Sequence, residues 1–81
     1  MIIPDELLKM IKPDNMLKIH YGEYNINNAL INIRAIIDDE QIVFKAKYEG
    51  SHKWKYCIES WYYFLFRFKL GKLNLIGDNV N

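Results

Sequence analysis

The chain has 81 residues, which is one domain's worth with a small core. Half of the residues are hydrophobic (51%) and 15% are aromatic, which excludes a disordered chain, while a net charge of +1 gives no bulk-charge signal for nucleic acid. One cysteine, Cys57, excludes an internal disulfide and suits a reducing, intracellular setting.

Pro4-Asp5 followed by Glu-Leu-Leu-Lys-Met-Ile-Lys predicts a short helix over 5–12. Asp5 is its N-cap candidate, Glu6 favours the positive helix end, and Pro13 stops it. Leu7, Leu8 and Ile11 form its apolar face. Leu17, Ile19 and Tyr21 alternate with Lys18 and His20, which predicts a half-buried strand over 17–21, ended by Gly22. The Asn-rich stretch 24–28 reads as a loop.

Residues 29–58 carry the clearest pattern. Ile31, Ile33, Ala35 and Ile37 alternate with their neighbours, then Ile42, Phe44, Ala46 and Tyr48, then Trp54, Tyr56 and Ile58. Asp38-Asp39-Glu40 and Gly50-Ser51-His52 separate the three runs, and the whole predicts an antiparallel meander. Placing every large apolar residue on one side pairs Ile37 with Ile42, Ala35 with Phe44 and Ile33 with Ala46. The second hairpin then pairs Tyr48 with Trp54, Ala46 with Tyr56 and Phe44 with Ile58.

Ser60 to Leu70 is the richest aromatic stretch. As a helix, Trp61, Phe64, Leu65 and Phe68 share one face, Ser60 is placed to cap it and Gly71 to end it. As a strand, Arg67 would fall on the face of Trp61, Tyr63 and Leu65, so the helix is preferred. Residues 72–76 form a last short strand and 78–81 a frayed tail after a single domain over 1–77. The expected fold is therefore α+β: a small antiparallel sheet, comprising the meander over 29–58 and strands near 17–21 and 72–76. An aromatic-rich helix at 60–70 and a short helix at 5–12 pack on it.

Charge is polarised along the chain. Residues 1–44 carry four basic and seven acidic side chains, and residues 45–72 carry seven basic and two acidic. In the register above, the outward sheet face sets Arg34 opposite Lys45 and Lys47 opposite Lys55, with Lys53 at the rim. That basic patch is a candidate surface for phosphate or an acidic protein, weighed against a plain solvated face. Its aromatics lie on the other face, which argues against a stacking platform for nucleic acid. The second candidate is the outward side of the 60–70 helix, where Tyr62, Tyr63 and Phe66 lie off the core stripe.

Asp38, Asp39 and Glu40 form an acidic hairpin tip, read as a solvated turn or an acidic recognition tip rather than a metal site. His20 and His52 have no metal-ligand spacing, Cys57 is placed outward beside Lys45, and the four glycines all end elements. No metal, cofactor or catalytic residue is expected. The opening Met-Ile-Ile-Pro-Asp-Glu is no signal peptide, and no apolar run approaches a membrane span.

The expected function is a non-enzymatic, cytoplasmic protein-binding module that takes a protein partner or a second copy. The alternative is a small nucleic-acid-binding domain that uses the basic sheet face. In size and texture the chain is similar to accessory and inhibitor proteins of phages and mobile elements, anti-CRISPR inhibitors among them. No motif carries that likeness.

Overall fold

A computed structural model describes residues 2–20 and 28–77. The elements in chain order are α1 (Asp5–Met10), β1 (Met16–His20), β2 (Asn28–Ile37), β3 (Gln41–Tyr48), β4 (Lys55–Ser60), α2 (Trp61–Lys69) and β5 (Leu73–Gly77). The strands form one antiparallel sheet in the order β4-β3-β2-β1-β5, and both helices contribute to the core on one of its faces. The expected α+β architecture is the observed one. Tyr21, Gly22, the Asn-rich loop up to residue 27 and the tail 78–81 lie outside the described residues.

Helix α1 is shorter than the sequence suggests, and Pro4 rather than Asp5 is its N-cap, with no side-chain cap bond. Pro4, at φ −59°, enters the helix at the angle its ring fixes. Six residues are too few to be stable alone. The helix is held by Leu7 and Ile11, both buried, while Leu8 points out. Buried Asn15 ties down its end: Nδ2 donates to the carbonyls of Lys9 and Met10 at 3.3 and 2.9 Å. The backbone N–H of Ile33 in turn donates to the Asn15 carbonyl at 3.0 Å, which joins α1 to the sheet.

The β2–β3 register departs from expectation. Ile37 pairs with Gln41, Ile36 with Ile42 and Ala35 with Val43; beyond a bulge at Arg34, Ile33 pairs with Phe44 and Ile31 with Ala46. Asp38 and Asp39 both take positive φ (53° and 57°), the combination whose twist suits a tight hairpin, and the Glu40 N–H closes the turn on the Ile37 carbonyl. That turn shifts the pairing by one residue and the bulge shifts it again. As a result Ile31 and Ile33 share the buried face with Ile42, Phe44 and Ala46, while Ile36 takes the position expected for Ile37.

The β3–β4 register slips by one residue. Phe44 faces Cys57, not Ile58, and Ala46 faces Lys55, not Tyr56. The turn at Tyr48–Ser51 needs Gly50 at φ 85°, and Ser51 Oγ then accepts from the Lys53 N–H at 3.1 Å. This longer loop carries Trp54 out of the ladder, and the strand starts at Lys55. A one-residue slip inverts a strand. Lys55, Cys57 and Glu59 therefore turn toward the helix side, and Tyr56 and Ile58 turn away from it.

Helix α2 forms as its caps suggest. Ser60 Oγ accepts from the Tyr62 N–H at 3.1 Å, and Gly71 follows the last turn at φ 72°. The helix leaves one sheet edge (β4) and delivers the chain to the other (β5). Its nine residues span about 14 Å, against about 19 Å across five strands, so the 70–72 connection completes the crossing. Trp61 and Phe64 are buried beneath it, and Phe64 meets Phe44 edge-to-face at 5.3 Å. Leu65 and Phe68 pack at the core margin.

Candidate binding surfaces

The slip of β4 places aromatic rings and lysines on the same side of the sheet. On the face turned away from α1 and α2, Lys45 pairs with Tyr56, and its Nζ sits over the Tyr56 ring at 5.2 Å from the centroid. Lys47 Nζ sits over the Trp54 ring at 5.8 Å. These are cation–π contacts, favourable because the ring face is electron-rich. Lys18 joins them: Leu30 lies between Lys18 and Lys47 across β1, β2 and β3. Tyr56 is 70% exposed and Ile58 59%, while Trp54 folds back over the sheet.

Two shallow concavities run along this face. One, of about 320 Å³, is lined by Lys18, Leu30, Lys47, Tyr48, Glu49 and Ile76 among others. The other, of about 220 Å³, lies between Met16, Asn32, Lys45 and Trp54.

The expected basic patch is thus redistributed. Lys45 and Lys47 lie on the outward face, but neither faces another cation across the strands. Arg34 stands in the bulge, where Nη1 donates to Asp14 Oδ1 at 3.0 Å and to Asn32 Oδ1 at 2.9 Å. Lys53 is exposed in the loop, and Lys55 lies opposite Ala46 on the edge strand. The expected cross-strand pairs Arg34–Lys45 and Lys47–Lys55 do not form, because the bulge and the loop each shift the ladder. Lys18, Trp54 and Tyr56 were missed as members of this surface. For Trp54 and Tyr56 the sequence signal is the alternative parity of β4, in which Lys55, Cys57 and Glu59 form the inward set; for Lys18 it is the alternation with Leu17 and Ile19 in β1.

That inward set is accommodated chemically. Glu59 receives a two-bond fork from Arg67 of α2, with Nη2 to Oε2 at 3.0 Å and Nη1 to Oε1. The Arg67 guanidinium also lies over the Phe64 ring at 5.3 Å. Cys57 packs against the core margin instead of lying outward beside Lys45. Burial, reinforced by the Glu59 carboxylate and only partly opposed by Lys55, raises the pKa of its thiol.

The second surface is on α2. Tyr62, Tyr63 and Phe66 are 58%, 55% and 56% exposed, and Leu70 continues the same stripe. The Tyr62 and Tyr63 rings meet edge-to-face at 5.9 Å. The charged side chains nearby are Arg67, turned onto Glu59, and Lys69.

The 38–40 turn has a structural role through its backbone. The Glu40 carbonyl accepts the Trp61 N–H at 3.1 Å, which docks the β2–β3 turn on the start of α2. There the positive helix end lies near Asp38, Asp39 and Glu40. Asp39 also rims a cleft of about 340 Å³ with Ile3, Leu8, Ile11, Ile36 and Trp61. Among the described residues no three His, Cys, Asp or Glu side chains gather to hold a metal ion, and no helix is long and apolar enough to cross a membrane.

Comparison with known proteins brings no relative to bear on these surfaces: no family model matches the chain, and neither the curated proteins nor the solved structures hold a match.

Proposed function

We propose that the chain is a small, non-enzymatic protein-binding module that docks through the outward side of α2. In this reading it acts as an accessory or inhibitor protein of the kind that phages and mobile elements carry. The observation behind it is the stripe of Tyr62, Tyr63, Phe66 and Leu70 on a helix whose other side is already committed to the core. Burying each remaining half-side-chain would contribute roughly 1 kcal/mol, so the four together offer a docking surface of several kcal/mol. Tyrosine and phenylalanine supply that area with few rotatable bonds to immobilise.

Burial raises the pKa of the Cys57 thiol, and in this reading it is not an activated nucleophile. The lone thiol also suits an intracellular, cytoplasmic setting.

The test is sizing with light scattering, paired with affinity capture from the native host. Wild-type protein is expected to run as a dimer or with a captured partner, and Phe66→Glu to release it as a folded monomer. A wild-type monomer that captures nothing Phe66→Glu fails to capture would remove this reading.

A further inference from the structure

We propose that the sheet face opposite the helices binds single-stranded nucleic acid, with Trp54 and Tyr56 stacking on bases and Lys18, Lys45 and Lys47 contacting phosphates. This surface is separate from the α2 stripe and does not depend on it.

Three observations carry the inference. First, β4 breaks the apolar-inside rule in both directions at once. It turns Lys55, Cys57 and Glu59 toward the helices and sends Tyr56 and Ile58 outward, with Trp54 just ahead of them over Lys47. A fold that must use Arg67 to satisfy an inward Glu59, while leaving Tyr56 70% exposed, has its rings outside against the direction of core packing. Such local departures concentrate at working surfaces.

Second, rings and ammonium groups alternate across adjacent strands: Lys45 over Tyr56, Lys47 over Trp54, and Lys18 one strand further on beyond Leu30. Single strands are held by just this combination, rings that take bases of any sequence and cations that follow the backbone. In the free protein Lys45 and Lys47 each rest over a ring. A phosphate draws the ammonium away and leaves the ring face to a base.

Third, the charge balance of this face favours an anion. Asp14 is engaged with Arg34, and Glu49 stands at the Lys18–Lys47 groove, where its Oε2 accepts from the Asn28 N–H at 3.4 Å. Lys18, Lys45 and Lys47 outnumber it. A strand therefore runs from Tyr56 across Lys45 and Trp54 and stays clear of Glu49. With three phosphate contacts and a chain charge of only +1, affinity rests on stacking as much as on charge.

Fluorescence anisotropy of labelled oligo-dT and oligo-rU of about 12 nucleotides, titrated at low salt, tests this. The expected result is saturable binding that weakens with salt. Trp54→Ala and Tyr56→Ala should each weaken it about tenfold. Lys45→Ala with Lys47→Ala should lower both affinity and salt slope. Phe66→Glu should bind as wild type does, which separates this surface from the α2 reading. Far-ultraviolet circular dichroism identifies variants that remain folded, and Tyr56→Phe, which keeps the ring, should restore binding. Absence of binding by the wild type overturns the proposal. So does binding that Trp54→Ala and Tyr56→Ala leave intact, or equal affinity for poly-glutamate, since either would make the face a general anion surface.

Discussion

Cys57 shows how one residue's environment follows from the strand it sits on. Facing Phe44 instead of solvent, its thiol is partly buried and sits beside Glu59, and both effects favour the neutral form. Alkylation by iodoacetamide at neutral pH should therefore be slower than for a free thiol. The pH dependence has a definite sign. A raised pKa in the fold means that the unfolded chain loses this proton first. Stability from the neutral thiol is complete below the ordinary thiol value and is lost as pH rises through the folded one. Wild-type protein should then lose more thermal stability toward alkaline pH than Cys57→Ala does. An equal loss would place the thiol in solvent. Asp39 offers a second test at this scale. Its φ of 57° is a conformation that glycine adopts without cost, so Asp39→Gly should stabilise the hairpin by up to about 1 kcal/mol in denaturant melts. Destabilisation would mean that the carboxylate's place near the start of α2 outweighs the backbone gain.

At the scale of elements, much was legible in the sequence. Ser60 and Gly71 mark the ends of α2, and the alternation of Leu17 with Ile19, of Ile31 with Ile33, and of Ile42, Phe44 and Ala46 marks three strands with the correct face inward. The face of β4 was not legible, and the reason is physical. Apolar alternation identifies the buried side only when burial is what selects the residues. In β4, Trp54, Tyr56 and Ile58 form the more apolar set, yet Ala46 pairs with Lys55 instead of Tyr56, so the connection around Gly50 is even in length instead of odd and the parity inverts. The information that fixes the parity is long-range: Glu59 can face inward because Arg67, eight residues on and in another element, reaches it. The bulge at Arg34 is equally non-local, since Asp14 holds the side chain that the bulge re-aims. Glu59→Ala should accordingly destabilise the protein by about 1–3 kcal/mol, because it leaves Arg67 beside the core without its carboxylate. Glu59→Gln, which keeps an acceptor, should cost less. No effect from either would show that β4 does not depend on this fork for its parity.

For the whole molecule, the two proposed binding surfaces lie on different faces. One helix closes the core with Trp61 and Phe64 and shows Tyr62, Tyr63, Phe66 and Leu70 to the outside. The sheet shows rings interleaved with lysines on its other side. Two acidic side chains are engaged locally, Asp14 on Arg34 and Glu59 on Arg67, and the 38–40 turn docks on the start of α2 through the Glu40 backbone carbonyl. The near-zero net charge therefore conceals a face with a local excess of cations. The most direct measurement is size by light scattering for three proteins at matched concentration: wild type, Phe66→Glu, and Lys45→Glu with Lys47→Glu. A docking role for α2 requires an assembly, of wild-type copies or of wild type with its captured partner, that Phe66→Glu alone dissolves, with the double lysine variant unchanged. An assembly that survives Phe66→Glu, or that only the lysine variant dissolves, would contradict it.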